Sequence, residues 1–123
     1  MNKLKILIVD DQSDLRKLLR MTLALIDCDL HEADSGLGAM TMMRTLKPDV
    51  VILDVMLPGG IDGYQVCQAI KTDPVMKKAF VLLLSARGQK SDMEEGRRVG
   101  ADGYMVKPFS PLELIETIKF MHK

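Results

Sequence analysis

Five polar side chains each follow directly on an apolar run of the sequence. They are three carboxylates, a hydroxyl and an ammonium: Asp10, Asp11, Asp54, Ser85 and Lys107. A carboxylate at the end of a buried strand is costly to desolvate unless a cation meets it. Three carboxylates at one place cannot all stay ionised without a counter-charge. Oxygen ligands favour a hard divalent ion, so we expect Mg²⁺ or Mn²⁺ here.

The histidines and cysteines give zinc little support. Neither His31 nor His122 follows one of these runs, and Cys28 and Cys67 form no CxxC pair. Zinc sites need such ligands at short spacing. We interpret both cysteines as buried free thiols.

A metal, an ammonium and a hydroxyl around a carboxylate suit a phosphoryl group. The charge of that group spreads over three equatorial oxygens during transfer, and cations and donors must meet it from several sides. In this interpretation Asp54 is the nucleophile and forms an acyl phosphate. Asp10 and Asp11 hold the metal, while Lys107 and Ser85 face the phosphoryl oxygens.

Hydrophobic periodicity predicts the elements that would bring these groups together. Short apolar runs alternate with longer segments of helical spacing. The predicted strands are residues 4–9, 29–33, 50–53, 79–84 and 104–106. The predicted helices are residues 15–26, 36–46, 64–71 and 91–99, with a last helix that opens at Ser110 and Pro111.

Five strand–helix alternations indicate one domain, residues 1–123, with a parallel sheet and helices on both faces. The flavodoxin-like doubly wound order 2-1-3-4-5 fits a chain of this size best. In that order strands one and three are neighbours, about 4.8 Å apart, so their carboxylates meet at one edge. Lys107 is two strands from Asp54, roughly 10 Å between backbones, a gap that the two side chains can close.

Composition excludes several partners. The 123 residues carry 17 Lys and Arg and 17 Asp and Glu, so the formal charge is zero. We therefore expect no general attraction to nucleic acid or to an anionic membrane. No apolar stretch approaches the length of about 20 residues that a membrane span needs. The start, Met1-Asn2-Lys3, leads into a strand rather than a secretory segment, which predicts a cytoplasmic protein.

Taken together, the ordered motifs resemble the receiver domain of two-component response regulators over essentially the whole chain. The matching features are the pair Asp10-Asp11, Asp54 with Pro58 four residues later, Ser85-Ala86, and the run Gly103-Tyr104-Met105-Val106-Lys107-Pro108-Phe109. Each is weak alone, but their order is highly specific.

The resemblance implies a role for each residue. Asp54 is the phosphoacceptor, and Asp11 is a direct metal ligand. Asp10 binds the metal directly or through water, and the backbone carbonyl of Met56 is a further ligand. Lys107 pairs with the phosphoryl group, the Ser85 hydroxyl moves toward it, and Tyr104 is an aromatic switch.

It also implies partners. A histidine kinase, a phosphotransfer protein or a small phosphodonor supplies the phosphate, and an output partner reads the face of the fourth helix, fifth strand and fifth helix. We expect a monomer or a phosphorylation-dependent dimer. The protein is then a switch that promotes its own dephosphorylation rather than an enzyme in the usual sense.

The fourth helix, residues 91–99, is predicted to be the softest. Its apolar residues are few, and Gly96 in its middle costs about 1 kcal/mol relative to Ala. Ser91 with Glu94 predicts a capping box at its start. We interpret this helix and Tyr104 as the two-state element that the phosphoryl group shifts.

One feature departs from the family pattern. Three residues, Gly59, Gly60 and Ile61, separate the proline from the Asp-Gly that opens the third helix, where the family usually has two. The extra residue lies beyond Met56, so we expect the metal ligands to be spared and the loop to differ in shape.

Two other functions are compatible with parts of this pattern. A phosphohydrolase of the haloacid-dehalogenase type also uses an Asp nucleophile, but its second Asp is two residues later, and it usually adds a cap domain. An interaction module that is never phosphorylated would be favoured by loss of an acidic, hydroxyl or lysine position. All of these positions are present.

Overall fold

The computed structural model describes residues 3–121 and contains one five-stranded sheet. All strand pairs are parallel, and the order is β2-β1-β3-β4-β5. The strands are β1 Leu4–Val9, β2 Cys28–Ala33, β3 Val50–Asp54, β4 Phe80–Ser85 and β5 Gly103–Val106. The predicted flavodoxin-like fold is confirmed.

Five helices connect and follow the strands: α1 Ser13–Leu23, α2 Gly36–Leu46, α3 Gly63–Thr72, α4 Lys90–Arg98 and α5 Pro111–Met121. Helix α1 ends three residues before the predicted end, because the chain turns after Leu23, with the Ile26 N–H bonded to the Leu23 carbonyl at 3.1 Å. Ile26 still packs against the core. Its apolar character therefore reflects burial and not continuation of the helix.

The core lies on both faces of the sheet because strand side chains alternate. In β3 every residue is buried. Val51 and Leu53 face a cluster with α2 and α3, whereas Val50 and Ile52 face one with α1 and α5. This explains why the run before Asp54 is continuously apolar rather than alternating.

The predicted capping box of α4 is wrong. The helix begins at Lys90, its N-cap is Gln89, and the Asp92 carboxylate accepts the Gln89 N–H at 3.2 Å. The observed pair, residues 89 and 92, has the same three-residue spacing as the predicted pair, Ser91 and Glu94. The cap therefore lies two residues before the predicted position. The start of α5 is as predicted, since Ser110 Oγ accepts the Glu113 N–H at 3.3 Å.

The cysteines are free thiols, as expected, but they differ in burial. Cys67 is buried and Cys28 is half-buried. Burial raises the pKa of Cys67 to about 12, so its thiol stays protonated and unreactive. His31 lies in β2, and His122 lies outside the described residues. Between residues 3 and 121, no helix has the length and apolar character needed to cross a bilayer.

Candidate functional site

The three predicted carboxylates meet at the carboxyl ends of β1 and β3. These strands pair directly, with Val9 opposite Leu53. Asp10, Asp11 and Asp54 each offer an oxygen, and these oxygens lie within 4.8 Å of one another. Asp10 and Asp54 are buried, at 1% and 5% exposure, and Asp11 is exposed. The cluster is therefore open on one side.

Lys107 reaches this cluster from β5. Its Nζ lies 3.4 Å from Asp10 Oδ2 and 3.4 Å from Asp54 Oδ1. Its backbone N–H donates to the Ser85 carbonyl at 2.8 Å, which fixes the lysine at the end of β4. One ammonium among three carboxylates leaves an excess of negative charge. The chemistry of these oxygen donors fits a hard divalent cation.

Arg16 of α1 belongs to the site, although the sequence analysis did not include it. Its guanidinium donates to the Asp10 carbonyl at 2.7 Å and to Glu32 at 3.0 Å. The Asp10 carboxylate also accepts the Gln12 N–H at 2.8 Å. Asp10 is thus held at both its backbone and its side chain.

Asp54 has a raised pKa. Burial raises its pKa to about 6, the Asp10 charge adds to the rise, and Lys107 opposes it. Its Oδ1 accepts the Met56 N–H at 3.3 Å. The predicted ligand residue Met56 therefore lies beside Asp54, and the residue is 53% exposed.

The raised pKa of Asp54 predicts how stability depends on pH. The metal-free folded chain binds the Asp54 proton more tightly than the unfolded chain does, between about pH 4 and pH 6. Stability should therefore fall as pH rises through this window. Two pKa units correspond to about 2.7 kcal/mol, and solvent screening at the open side of the cluster reduces the expected fall to roughly 2 kcal/mol. Urea unfolding in EDTA at several pH values measures it, and Asp54→Asn supplies the reference that cannot ionise. The prediction is contradicted if the difference in unfolding free energy between wild type and Asp54→Asn stays constant as pH rises. It is also contradicted if the wild type becomes relatively more stable as pH rises.

Ser85 is completely buried at the end of β4. Its Oγ accepts the Arg87 N–H at 3.0 Å, so the hydroxyl is engaged with the β4–α4 loop, residues 86–89. Asp54 pairs with Leu84 across the sheet, which places Ser85 one residue further along the same edge.

Tyr104 is half-buried in β5, and its hydroxyl donates to the Arg87 carbonyl at 2.9 Å. It also lies 3.3 Å from the hydroxyl of Tyr64 in α3, a neighbour that the sequence reasoning did not assign to the site. A Cβ on Gly96 of α4 would lie 3.0 Å from the Tyr104 ring. The glycine expected to weaken α4 thus also makes room for this ring.

The β3–α3 loop carries the extra residue. Gly59 and Gly60 adopt φ values of +90° and +86°, which glycine tolerates best. At the end of the loop, the Gly63 N–H donates to the Val55 carbonyl at 2.8 Å. A Cβ on Gly63 would overlap the Asp54 carbonyl oxygen, so α3 begins in direct contact with the end of β3.

The fold and this acidic edge with its lysine define a receiver-type α/β module. The family model of the response regulator receiver domain matches residues 6–119. The chain belongs to this family, the receiver domains of two-component systems. Membership in this family replaces the alternative that the chain is a phosphohydrolase of the haloacid-dehalogenase type.

Individual relatives agree with the family. The chain is 35% identical to protein PilG of Pseudomonas aeruginosa, over 94% of the chain and 85% of that protein. It is 39% identical to the transcriptional regulatory protein ResD of Bacillus subtilis over 96% of the chain. The chain spans only 48% of ResD, and 44% of the ycf27 protein of Guillardia theta.

Solved structures agree as well. Chemotaxis protein CheY4 of Vibrio cholerae superimposes with a TM-score of 0.89 at 29% identity, covering 97% of this chain and 98% of that one. The receiver domain of a histidine kinase from Syntrophus aciditrophicus gives 0.88 at 27% identity, with coverages of 95% and 88%.

Proposed function

We propose that the chain, acting as one receiver domain over residues 1–123, is a switch that accepts a phosphoryl group on Asp54. The observation that carries this proposal is the position of the Lys107 ammonium, 3.4 Å from both Asp10 and Asp54. A lysine that bridges two buried acids would meet a phosphoryl group attached to either. Asp54 lies at the end of β3, the middle strand of the sheet. Its pKa is raised to about 6, which is still below neutral pH, so its carboxylate is ionised and nucleophilic.

In the proposed step, an Asp54 oxygen attacks the phosphorus of the donor. The new O–P bond forms as the bond to the leaving atom breaks, and the electron pair goes to that atom. The leaving atom is an imidazole nitrogen for a phosphohistidine and an acetate oxygen for acetyl phosphate. Lys107 donates to a phosphoryl oxygen, and the Ser85 hydroxyl exchanges its contact with Arg87 for another of these oxygens. The same groups later assist loss of the phosphate to water.

Asp10, Asp11, Asp54 and the Met56 carbonyl are the proposed ligands for Mg²⁺ or Mn²⁺. When bound, the ion supplies positive charge that offsets the charge developing on the phosphoryl oxygens. The support is the set of three carboxylates within 4.8 Å of one another, with one ammonium to balance them.

The proposed output surface is the face of α4, β5 and α5. Its exposed apolar residues include Val106, at 36% exposure, and Leu112, at 65%. Helix α4 buries only Gly96, so little packing holds it in place. We propose that phosphorylation shifts α4 and Tyr104 and so controls an output partner, with a histidine kinase or phosphotransfer protein as the donor in the cytoplasm. The zero formal charge gives no support for direct nucleic-acid binding by this chain.

Metal removal tests the proposal. Incubation with acetyl phosphate and Mg²⁺ should add one phosphate by intact mass, because the ion and Lys107 together neutralise the transferred group. With EDTA in place of Mg²⁺ the rate should fall by about a hundredfold or more, by analogy with loss of one preorganised charge donor.

Two outcomes would contradict the proposal. Absence of any mass gain with Mg²⁺ would favour the interaction module that is never phosphorylated. Phosphate gain at equal rates with Mg²⁺ and with EDTA would show that a metal ion takes no part in the transfer.

A further inference from the structure

The hydroxyl of Tyr64 joins three parts of the fold. Tyr64 lies in the first turn of α3 and is 8% exposed. Its hydroxyl donates to the Asp92 carbonyl of α4 at 3.0 Å and lies 3.3 Å from the Tyr104 hydroxyl of β5. It is therefore in contact with both parts of the proposed two-state element.

Tyr64 is also attached rigidly to the phosphoacceptor strand. Its neighbour Gly63 donates its N–H to Val55 at 2.8 Å and has no room for a side chain against the Asp54 backbone. A backbone shift at the end of β3 would be carried directly into the first turn of α3. The tyrosine ring follows that turn because it is buried.

The two hydroxyls have more acceptors than protons. Three contacts lie within hydrogen-bond distance: Tyr104 to the Arg87 carbonyl at 2.9 Å, Tyr64 to the Asp92 carbonyl at 3.0 Å, and Tyr64 to Tyr104 at 3.3 Å. Each hydroxyl carries one proton, so only two of the three can be hydrogen bonds at any moment.

A second arrangement has the same number of hydrogen bonds. If Tyr104 donates to Tyr64 while Tyr64 still donates to Asp92, the Arg87 carbonyl loses its partner. The β4–α4 loop is then freed from Tyr104 without a net loss of hydrogen bonds. Arg87 is the residue whose N–H also holds the Ser85 hydroxyl, so this loop links the two predicted switch residues.

We propose that Tyr64 is a positioning residue for Tyr104, and that its hydroxyl is the alternative acceptor that allows Tyr104 to release Arg87 when the switch is phosphorylated. The inference rests on the proposed function, since it assumes that phosphorylation of Asp54 shifts Tyr104. Burial, together with the bond to Tyr104, raises the pKa of Tyr64 above its ordinary value, so the hydroxyl keeps its proton and can donate and accept at neutral pH.

The chain has two tyrosines and no tryptophan, so the signal of Tyr104 can be followed separately. Protein labelled with 3-fluorotyrosine has two ¹⁹F resonances, and in Tyr64→Phe only that of Tyr104 remains. Tyr64→Phe removes one hydroxyl and keeps the ring. Thr72→Val is the matched control, because the Thr72 hydroxyl on the same helix bonds to Gln68 within α3.

In the unphosphorylated protein, Tyr64→Phe should speed amide exchange in residues 90–98 about fivefold, the size expected for one lost hydrogen bond to the backbone of α4. Thr72→Val should leave these amides unchanged. Equal exchange in Tyr64→Phe and wild type would overturn the inference, and this result does not depend on phosphorylation.

After treatment with acetyl phosphate and Mg²⁺, the ratio of shifted to unshifted Tyr104 resonance should be about fivefold lower in Tyr64→Phe than in the control, for the same reason. Intact mass of the same samples reports phosphate gain separately. Equal phosphate gain with equal Tyr104 shifts would overturn the role of Tyr64 alone. Absence of phosphate gain in wild type would instead overturn the proposed function, and the exchange measurement would still decide the contacts of Tyr64.

Discussion

Asp54→Asn is expected to reduce phosphate gain from acetyl phosphate to background. The carboxamide has no anionic oxygen to attack phosphorus, while its size and its carbonyl oxygen preserve the contact with the Met56 N–H at 3.3 Å. The loss should therefore reflect chemistry and not folding. Intact mass with Mg²⁺, together with a thermal unfolding curve of the same sample, makes the measurement.

A matched control exists in the same chain. Asp73 accepts the Val75 N–H, two residues later, at 2.8 Å, as Asp54 accepts that of Met56. Asp73→Asn should gain phosphate at the wild-type rate. Phosphate gain that survives Asp54→Asn would move the phosphoacceptor to another residue, with Asp10 and Asp11 the first to be mapped.

Gly63→Ala should cost about 3 kcal/mol of unfolding free energy. The added methyl would overlap the Asp54 carbonyl oxygen and lie 2.7 Å from Val55 Cα. These are backbone atoms at the buried end of β3, so no side-chain rotation can relieve the clash. The midpoint of urea unfolding should fall, and phosphate gain should slow because the same shift displaces Asp54.

Gly38→Ala in α2 is the comparison. Its new methyl would meet the Ser35 hydroxyl at 3.2 Å, and Ala is favoured over Gly within a helix by about 1 kcal/mol. Its stability should stay within roughly 1 kcal/mol of wild type by the same propensity argument. If Gly63→Ala proved as stable as Gly38→Ala, the close approach of α3 to the end of β3 would be incorrect.

The fold could be predicted from the sequence because buried positions are occupied mainly by apolar residues. The run 50–53 is apolar throughout since β3 is covered on both faces, and alternation with helical periods implied parallel strands. Parallel strands place their ends on one edge, so the proximity of Asp10, Asp11, Asp54 and Lys107 followed from topology alone.

The helix cap of α4 and the contacts of side chains with backbone carbonyls could not be predicted, for two physical reasons. Capping signals repeat along the chain, and residues 89 and 92 have the spacing of Ser91 and Glu94, so residue type could not choose the start of α4. Every residue has a backbone carbonyl, so residue type does not indicate which carbonyl a side chain will contact. The bonds of Tyr104 to Arg87 and of Arg16 to Asp10 depend on tertiary position, which no local pattern encodes.

The imbalance of three carboxylates against one ammonium at the sheet edge has a thermodynamic consequence. Repulsion among the carboxylates is strongest when no cation is bound, so it lowers the stability of the metal-free folded chain. A dication that binds only the native form adds about 1.4 kcal/mol of stability for each tenfold rise in its concentration above the dissociation constant. If Mg²⁺ occupies this edge as proposed, the free energy of unfolding rises with the Mg²⁺ concentration of the surroundings.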